Sequence, residues 1–264
     1  MSRAVAAWRR VGRWVGRRWL GPATARRFAG FAARHVEEGT FFVIAVPRSL
    51  SLLEPCLKLV RERLPLALVV NGMEAAEEAA LGRAFPEVQR FRLSTVPGTW
   101  WDHGAVLDLL SDGAERPFGL LDHDCYVMDP TVFGRLELGQ RDLLAAPDVE
   151  GFFRLNEASG LRFPRTHFLY LNAPLVRAVR RRHGISCRKA TKTPPGLRAP
   201  LAALGLGDHN FPPHPMPFWD TLQLVMAAGL ADGYAWRWVP VEDGALVHFG
   251  AATRQKNAVR LTGG

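Results

Sequence analysis

An α/β fold built on a mostly parallel sheet is predicted by three observations. Short apolar runs alternate with helical patterns roughly every 25–30 residues from about residue 40 onward. Each run is closed by Pro, Gly, Asn or Asp. Hydrophobic residues make up 48% of the 264-residue chain, enough for one full core.

Phe41-Phe42-Val43-Ile44-Ala45-Val46 reads as the first strand, ended by Pro47-Arg48-Ser49. The stretch to Leu64 reads as a helix with Leu53, Leu57 and Val60 on one face, and Pro55 is expected in its first turn, where a missing N–H costs nothing. Leu66-Ala67-Leu68-Val69-Val70 is the next strand, stopped by Asn71-Gly72. Glu74 to Leu81 is helical, Val88 to Leu93 a short strand, and His103 to Leu110 a further helix. Phe118-Gly119-Leu120-Leu121 then reads as a buried strand running into Asp122-His123-Asp124. Right-handed crossovers gather the loops that follow parallel strands at one sheet edge. Pro47-Arg48-Ser49, Asn71-Gly72 and Asp122-His123-Asp124 are therefore expected to face one crevice.

The net charge of +9 is concentrated at the N-terminus. Residues 1–40 hold nine arginines against Glu37 and Glu38, whereas the other 224 residues hold 25 basic and 23 acidic side chains. Val5, Trp8, Val11, Val15 and Trp19 recur at helical spacing with arginines between them; Gly21-Pro22 breaks the pattern, and Phe28, Phe31, Ala32 and Val36 suggest a second amphipathic segment. Residues 1–39 are thus expected to form a basic amphipathic helical extension, and 40–264 the main domain. Arginine with tryptophan on such a helix suits an anionic membrane surface, contacted through residues 1–36. The competing reading packs the same stripe on the protein's own core or on a partner subunit.

Other classes are disfavoured. Cys56, Cys125 and Cys187 are widely spaced and odd in number, which argues against a disulfide framework or a structural zinc site and fits a reducing compartment. No apolar stretch approaches a membrane span, and arginines interrupt any signal-peptide pattern. The expected location is cytoplasmic, peripheral on the inner face of the membrane. No nucleic-acid module is present, and the body has no comparable basic run.

Asp122 and Asp124, one residue apart on an extended chain, point the same way with His123 opposite. Two converging carboxylates repel each other unless a cation lies between them, and a divalent ion carrying a phosphate meets that need. A strand-end turn with Asp accepting backbone N–H bonds is the alternative.

The order of motifs resembles a nucleotide-sugar glycosyltransferase of the GT-A fold, over roughly residues 40–255. The resemblance rests on Val46-Pro47-Arg48-Ser49, Val69-Val70-Asn71-Gly72, Trp101 to Asp108, and Leu120-Leu121-Asp122-His123-Asp124. Downstream it rests on Phe168-Leu169-Tyr170-Leu171-Asn172, Phe218-Trp219-Asp220-Thr221 and Val247-His248-Phe249-Gly250. It implies a GT-A (Rossmann-like) domain that moves a sugar from a nucleotide-sugar donor, UDP-sugars favoured, to a glycan or lipid-linked acceptor in cell-surface glycan synthesis. It implies Asp122, Asp124 and His248 as metal ligands, and nitrogen ligation favours Mn²⁺ over Mg²⁺. Asp220 is implied as the general base, with Glu157 and Asp102 as alternatives and an N-cap as its ordinary role. Pro47, Arg48, Asn71, Gly72, His103, Asp122 and Arg254 are implied as substrate contacts. Arg180-Arg181-Arg182, Arg188-Lys189 and Lys192, ahead of a Pro/Gly-rich stretch to Pro217, read as a solvated loop or a lid. The chain departs from the better-defined families in having no acidic residue directly after Asn71-Gly72 and a single carboxylate at Asp220.

Two other classes compete. A haloacid-dehalogenase-type phosphohydrolase also carries DxD after an apolar strand, but on its first strand. The other is a non-catalytic, membrane-associated binding protein on a transferase scaffold.

Overall fold

The computed structural model describes residues 11–12, 19–207 and 219–249. Its centre is β1 (Phe41–Ala45), buried along its whole length because both faces of the sheet are covered. It pairs in parallel with β2 (Leu66–Val70) and with β4 (Phe118–Asp122), and β2 pairs in parallel with β3 (Gln89–Arg92). On the other side of β4 lies β9 (Phe168–Leu171), antiparallel both to β4 and to β6 (Asp142–Asp148). The edge strand β10 (Ala235–Pro240) runs parallel to β6. The order is β3-β2-β1-β4-β9-β6-β10, six strands in one direction and β9 reversed. Two small ribbons complete the β structure: β5 (Cys125–Val127) with β11 (Leu246–His248), and β7 (Phe153–Leu155) with β8 (Arg162–Pro164).

Strand alternation sorts the core into two layers. Phe42, Ile44, Val69 and Leu120 face α1 (Gly21–His35), α4 (His103–Gly113) and α5 (Ala173–His183). Phe41, Val43, Leu68, Val70 and Leu121 face α2 (Leu50–Val60) and α3 (Ala75–Ala84). Gly119 is required on β4, because a Cβ there would lie 2.2 Å from the Phe41 ring.

Three expectations change. The predicted boundary at residue 40 does not separate packing units: Phe28, Phe31 and Ala32 of α1 sit in the same core cluster as β1 and β2. The Phe28 ring centroid lies 5.1 Å from that of Phe91 and 5.9 Å from that of Phe42. Arg26, Arg27 and Arg34 occupy the exposed face. The second half of the predicted membrane stripe is therefore committed to the protein's own sheet.

Pro55 lies inside α2, beyond the first turn. It deprives only the carbonyl of Ser51, an exposed residue that water can satisfy, while Leu53, Cys56, Leu57 and Val60 hold the helix down. Third, Arg180-Arg181-Arg182 form the last turn of α5, where cations suit the helix dipole, rather than a solvated loop. Arg180 is largely buried and reaches Asp108 at 2.9 Å and Asp112 at 3.1 Å, tying α5 to α4. Part of the Pro/Gly-rich stretch is also helical, as α6 (Pro195–Ala203).

Candidate metal centre

In an open α/β sheet, ligands gather where neighbouring strands lead off in opposite directions. Here that point lies between β1, whose chain proceeds to β2, and β4 on its other side. Asp122 ends β4 directly beside Ile44 of β1. The turn at His123-Asp124 leads into β5, which pairs with β11 so that His248 sits opposite Cys125. That pairing delivers His248 Nε2 to 3.3 Å from Asp124 Oδ1 and 4.0 Å from Asp122 Oδ2.

Two more histidines close on Asp122. His167 precedes β9; because that strand is reversed, its first end lies at the last end of β4. His167 Nδ1 is 3.1 Å from Asp122 Oδ2, and its carbonyl accepts the Asp122 N–H at 2.8 Å. The His167 and His248 rings stack with centroids 3.4 Å apart. His103, first residue of α4, places Nε2 3.8 Å from the other carboxylate oxygen of Asp122.

Burial alone would push the Asp122 carboxyl up, but the charge of His103 and the hydrogen bond and charge of His167 pull it down to about 2. The group is thus a ready anionic ligand. One ligand atom each from Asp122, His167 and His248 lies within 4.8 Å of the others, and Asp124 adds a second, buried carboxylate. The Nε2 atoms of His103, His123 and His167 are buried without a hydrogen-bond partner among the described residues. Mixed imidazole and carboxylate donors with such orphaned nitrogens fit a divalent cation. Cys56, though adjacent, does not fit: burial first, then Asp124 and Asp122, push its thiol up to about 12. It stays protonated and lies 3.3 Å from the carbonyl oxygen of Cys125.

The other predicted contacts fall in different places. Arg48 is exposed at the tip of the β1–α2 loop with φ 65°, a strained value for a side-chain-bearing residue, and its N–H donates to Glu77 Oε1 at 2.9 Å. Pro47 lies in the same loop. Gly72 has φ 80°, and a Cβ there would lie 2.4 Å from the Thr99 carbonyl oxygen. Asn71 is buried; its Nδ2 donates to the Trp101 carbonyl at 2.9 Å and its Oδ1 accepts the Trp101 N–H at 2.8 Å, so its amide locks two loops together. Trp101 is also buried, with Nε1 donating to the Ser94 carbonyl.

Asp102 caps α4 through the Ala105 N–H and pairs with Arg188 at 3.2 Å. Glu157 is exposed in the turn between β7 and β8. Asp220 lies ahead of α7 (Gln223–Ala231) with Lys189 Nζ at 2.7 Å and Arg154 Nη1 at 3.7 Å. Burial pushes its carboxyl up, but Lys189, the Thr221 N–H and Arg154 outweigh this and lower it. Arg254 lies outside the described residues.

His167 escaped the sequence reading. Its only signal was a histidine directly before an apolar run, which marks a site only when the strand runs backwards.

The chain thus has a mostly parallel sheet flanked by helices, with carboxylates and histidines gathered at its switch point. The family profile described as the StrH glycosyltransferase N-terminal domain matches residues 21–176, more than half of the chain, and the chain belongs to that family. The match includes α1, Asp122, Asp124 and His167, while Asp220 and His248 lie beyond it.

Among solved structures, the chain is similar to the galactosyltransferase LgtC in complex with donor and acceptor sugar analogues, at 18% identity over 51% of this chain and TM-score 0.38. It spans 58% of that LgtC chain. It is also similar to 4-diphosphocytidyl-2C-methyl-D-erythritol synthase from Anaerococcus prevotii, at 10% identity over 80% of this chain and 92% of the other, TM-score 0.44. The glycosyltransferase GlyE of Streptococcus pneumoniae is similar at 14% identity over 78% of this chain and 46% of the other, TM-score 0.40. No curated protein matches the sequence.

Proposed function

We propose that this chain is a metal-dependent transferase that moves a sugar from a nucleotide-sugar donor, UDP-sugars favoured, to a glycan or lipid-linked acceptor in cell-surface glycan synthesis. The observation that carries the reading is the convergence of Asp122, Asp124, His167 and His248 at the switch point of a chain from a glycosyltransferase family. Asp122, Asp124 and His248 would hold the ion, with His167 as a fourth donor, and the imidazole nitrogens favour Mn²⁺ over Mg²⁺. Such an ion supplies Lewis-acid stabilisation for a departing diphosphate. His103, with Nε2 3.8 Å from the other oxygen of Asp122, stands ready as a contact for the donor. The Pro47-Arg48 and Gly72 loops, on the β1–β2 side, frame the donor nucleotide, and Arg254 is assigned to its diphosphate.

Asp220 is the candidate general base. It takes the proton of the acceptor hydroxyl as that oxygen bonds to the anomeric carbon and the diphosphate leaves with the electron pair of the broken bond. Paired with Lys189 and Arg154 it is a weak base, so an acceptor that draws these cations away strengthens it.

The test is thermal unfolding with UDP-, GDP- and dTDP-sugars, with and without Mn²⁺. A UDP-sugar at 100 times its Kd should stabilise by about 2.7 kcal/mol and raise Tm by about 5–10 °C, with Mn²⁺ only. If no nucleotide moves Tm, the transferase reading fails, and the non-catalytic binding protein takes its place.

We also propose that the N-terminal region rests on an anionic bilayer surface at the cytoplasmic face. No helix among the described residues is long and apolar enough to cross a membrane. Since Phe28 and Phe31 are buried, the contact would run through exposed Trp19 and the arginines from Arg3 to Arg34. Replacing Arg9, Arg10, Arg13, Arg17 and Arg18 by glutamine should weaken co-sedimentation with phosphatidylglycerol vesicles by at least about tenfold, since each such charge contributes about 1 kcal/mol near the surface. Equal binding to neutral phosphatidylcholine vesicles would refute the contact.

A further inference from the structure

A second charged cluster gathers beside the metal centre from four separate stretches of chain. Arg154 comes from β7, Arg165 from the loop between β8 and β9, Lys189 from the loop after α5, and Asp220 from the segment ahead of α7. Lys189 and Arg154 take opposite oxygens of the Asp220 carboxylate, at 2.7 and 3.7 Å. Arg165 is steered by its Nε, which donates to the Phe153 carbonyl at 3.2 Å. Two cations thus converge on the Asp220 carboxylate, and Arg165 is held on the same β7–β8 ribbon that carries Arg154.

The cluster is fixed relative to the metal centre. Arg165 is two residues from His167, and Arg154 two residues from Phe152, within about 7 Å of backbone in each case. The Phe152 ring meets His167 and His248 edge-on, with centroids 6.1 and 6.4 Å away. The Lys189 loop is pinned at both ends. Ala190 and Trp219 exchange backbone hydrogen bonds at 3.0 and 2.7 Å, and Arg188 packs so close to α4 that a Cβ on Gly104 would lie 2.5 Å from its Cα. Gly104 directly follows His103, so the same helix start positions a histidine of the metal centre and the lysine loop.

These elements lie across β4 from the loops that frame the donor. β7 and β8 follow β6, and β9 and β6 occupy the opposite half of the sheet from β1, β2 and β3. Forked guanidinium groups with a lysine on a flexible stem are suited to phosphate and carboxylate oxygens. We propose that Arg154, Arg165 and Lys189 form a subsite for an anionic oxygen group, phosphate or carboxylate, carried by the acceptor saccharide. The proposal rests on the transferase reading above for the word acceptor, and on geometry alone for the anion. Asp220 marks the place: the incoming anion competes for Lys189 and Arg154, and that competition frees Asp220 for the acceptor hydroxyl.

Calorimetric titration of the full chain in the presence of Mn²⁺ tests this, with glucose, glucose 6-phosphate, glucuronate, UDP, GDP and dTDP as probes. Glucose 6-phosphate or glucuronate should bind at least about tenfold more tightly than glucose, and whichever does so identifies the anion. Lys189→Gln, at an exposed position, and Arg165→Gln should each reduce that preference by roughly tenfold while UDP affinity stays within about twofold. Equal binding of glucose and both charged sugars would overturn the subsite. So would an equal loss of UDP affinity in both variants, which would assign the cations to the donor diphosphate. A wild-type chain that prefers charged sugars yet binds none of UDP, GDP and dTDP would keep the anion subsite and remove the transferase reading.

Discussion

Asp122→Ala is expected to lower Mn²⁺-dependent sugar transfer by on the order of 10³-fold while leaving the fold intact. The carboxylate sits at the end of β4 with His167 3.1 Å away, His103 at 3.8 Å and His248 at 4.0 Å. Removing it takes away the one negative ligand that every histidine of the centre faces, and groups that stabilise a developing charge are each worth about 10²–10³ in turnover. Stability should fall by on the order of 1–3 kcal/mol, because the pairing with His103 and His167 outweighs the cost of burial and holds the carboxyl at about 2. His167→Ala should be milder, lowering Mn²⁺ affinity by about 10–100-fold. The measurements are initial rates with a UDP-sugar donor, Mn²⁺ titration followed by electron paramagnetic resonance, and urea unfolding of each variant. Half of the wild-type rate in Asp122→Ala would show that the centre does not serve the reaction.

Phe28→Ala is expected to destabilise the chain by about 3–5 kcal/mol, the usual cost of truncating a fully buried phenylalanine. Its ring is inaccessible to solvent, meets Phe91, Phe42 and Phe31, and packs so tightly on α4 that a Cβ on Gly113 would lie 2.5 Å from it. Arg26→Ala, one helix face away and exposed, should change stability by less than about 0.5 kcal/mol. Urea denaturation of both variants provides the contrast. A loss below about 1 kcal/mol in Phe28→Ala would mean that α1 is an appendage, as the charge distribution alone suggested.

The first half of the fold was legible because its signals are local. Phe41–Ala45, Leu66–Val70 and Phe118–Asp122 are continuous apolar runs closed by turn residues, and parallel strands buried on both faces read that way. The helix from His103 was legible from its apolar face, and Asp102 caps it. The second half was less readable. β7, β8 and β11 are three residues long and owe their existence to pairing partners far along the chain. β10 carries Trp236, Arg237 and Trp238 at an edge, where no continuous apolar run is needed. Arg180-Arg181-Arg182 looked solvated because composition reports charge, whereas Asp108 and Asp112 on another helix bury Arg180.

By itself, the sequence determined that three strand-ending loops share one edge and that Asp122 and Asp124 stand together there. Right-handed crossovers account for the shared edge, while the chain turns at His123-Asp124 instead of staying extended, so adjacency in the sequence and not strand alternation keeps the two carboxylates close. Only the tertiary structure decided what meets those carboxylates. His167 reaches Asp122 because β9 runs against its neighbours, and His248 reaches Asp124 because β11 pairs with β5. Strand direction and pairing are set by contacts between residues 45 to more than 120 positions apart, and no local pattern encodes them.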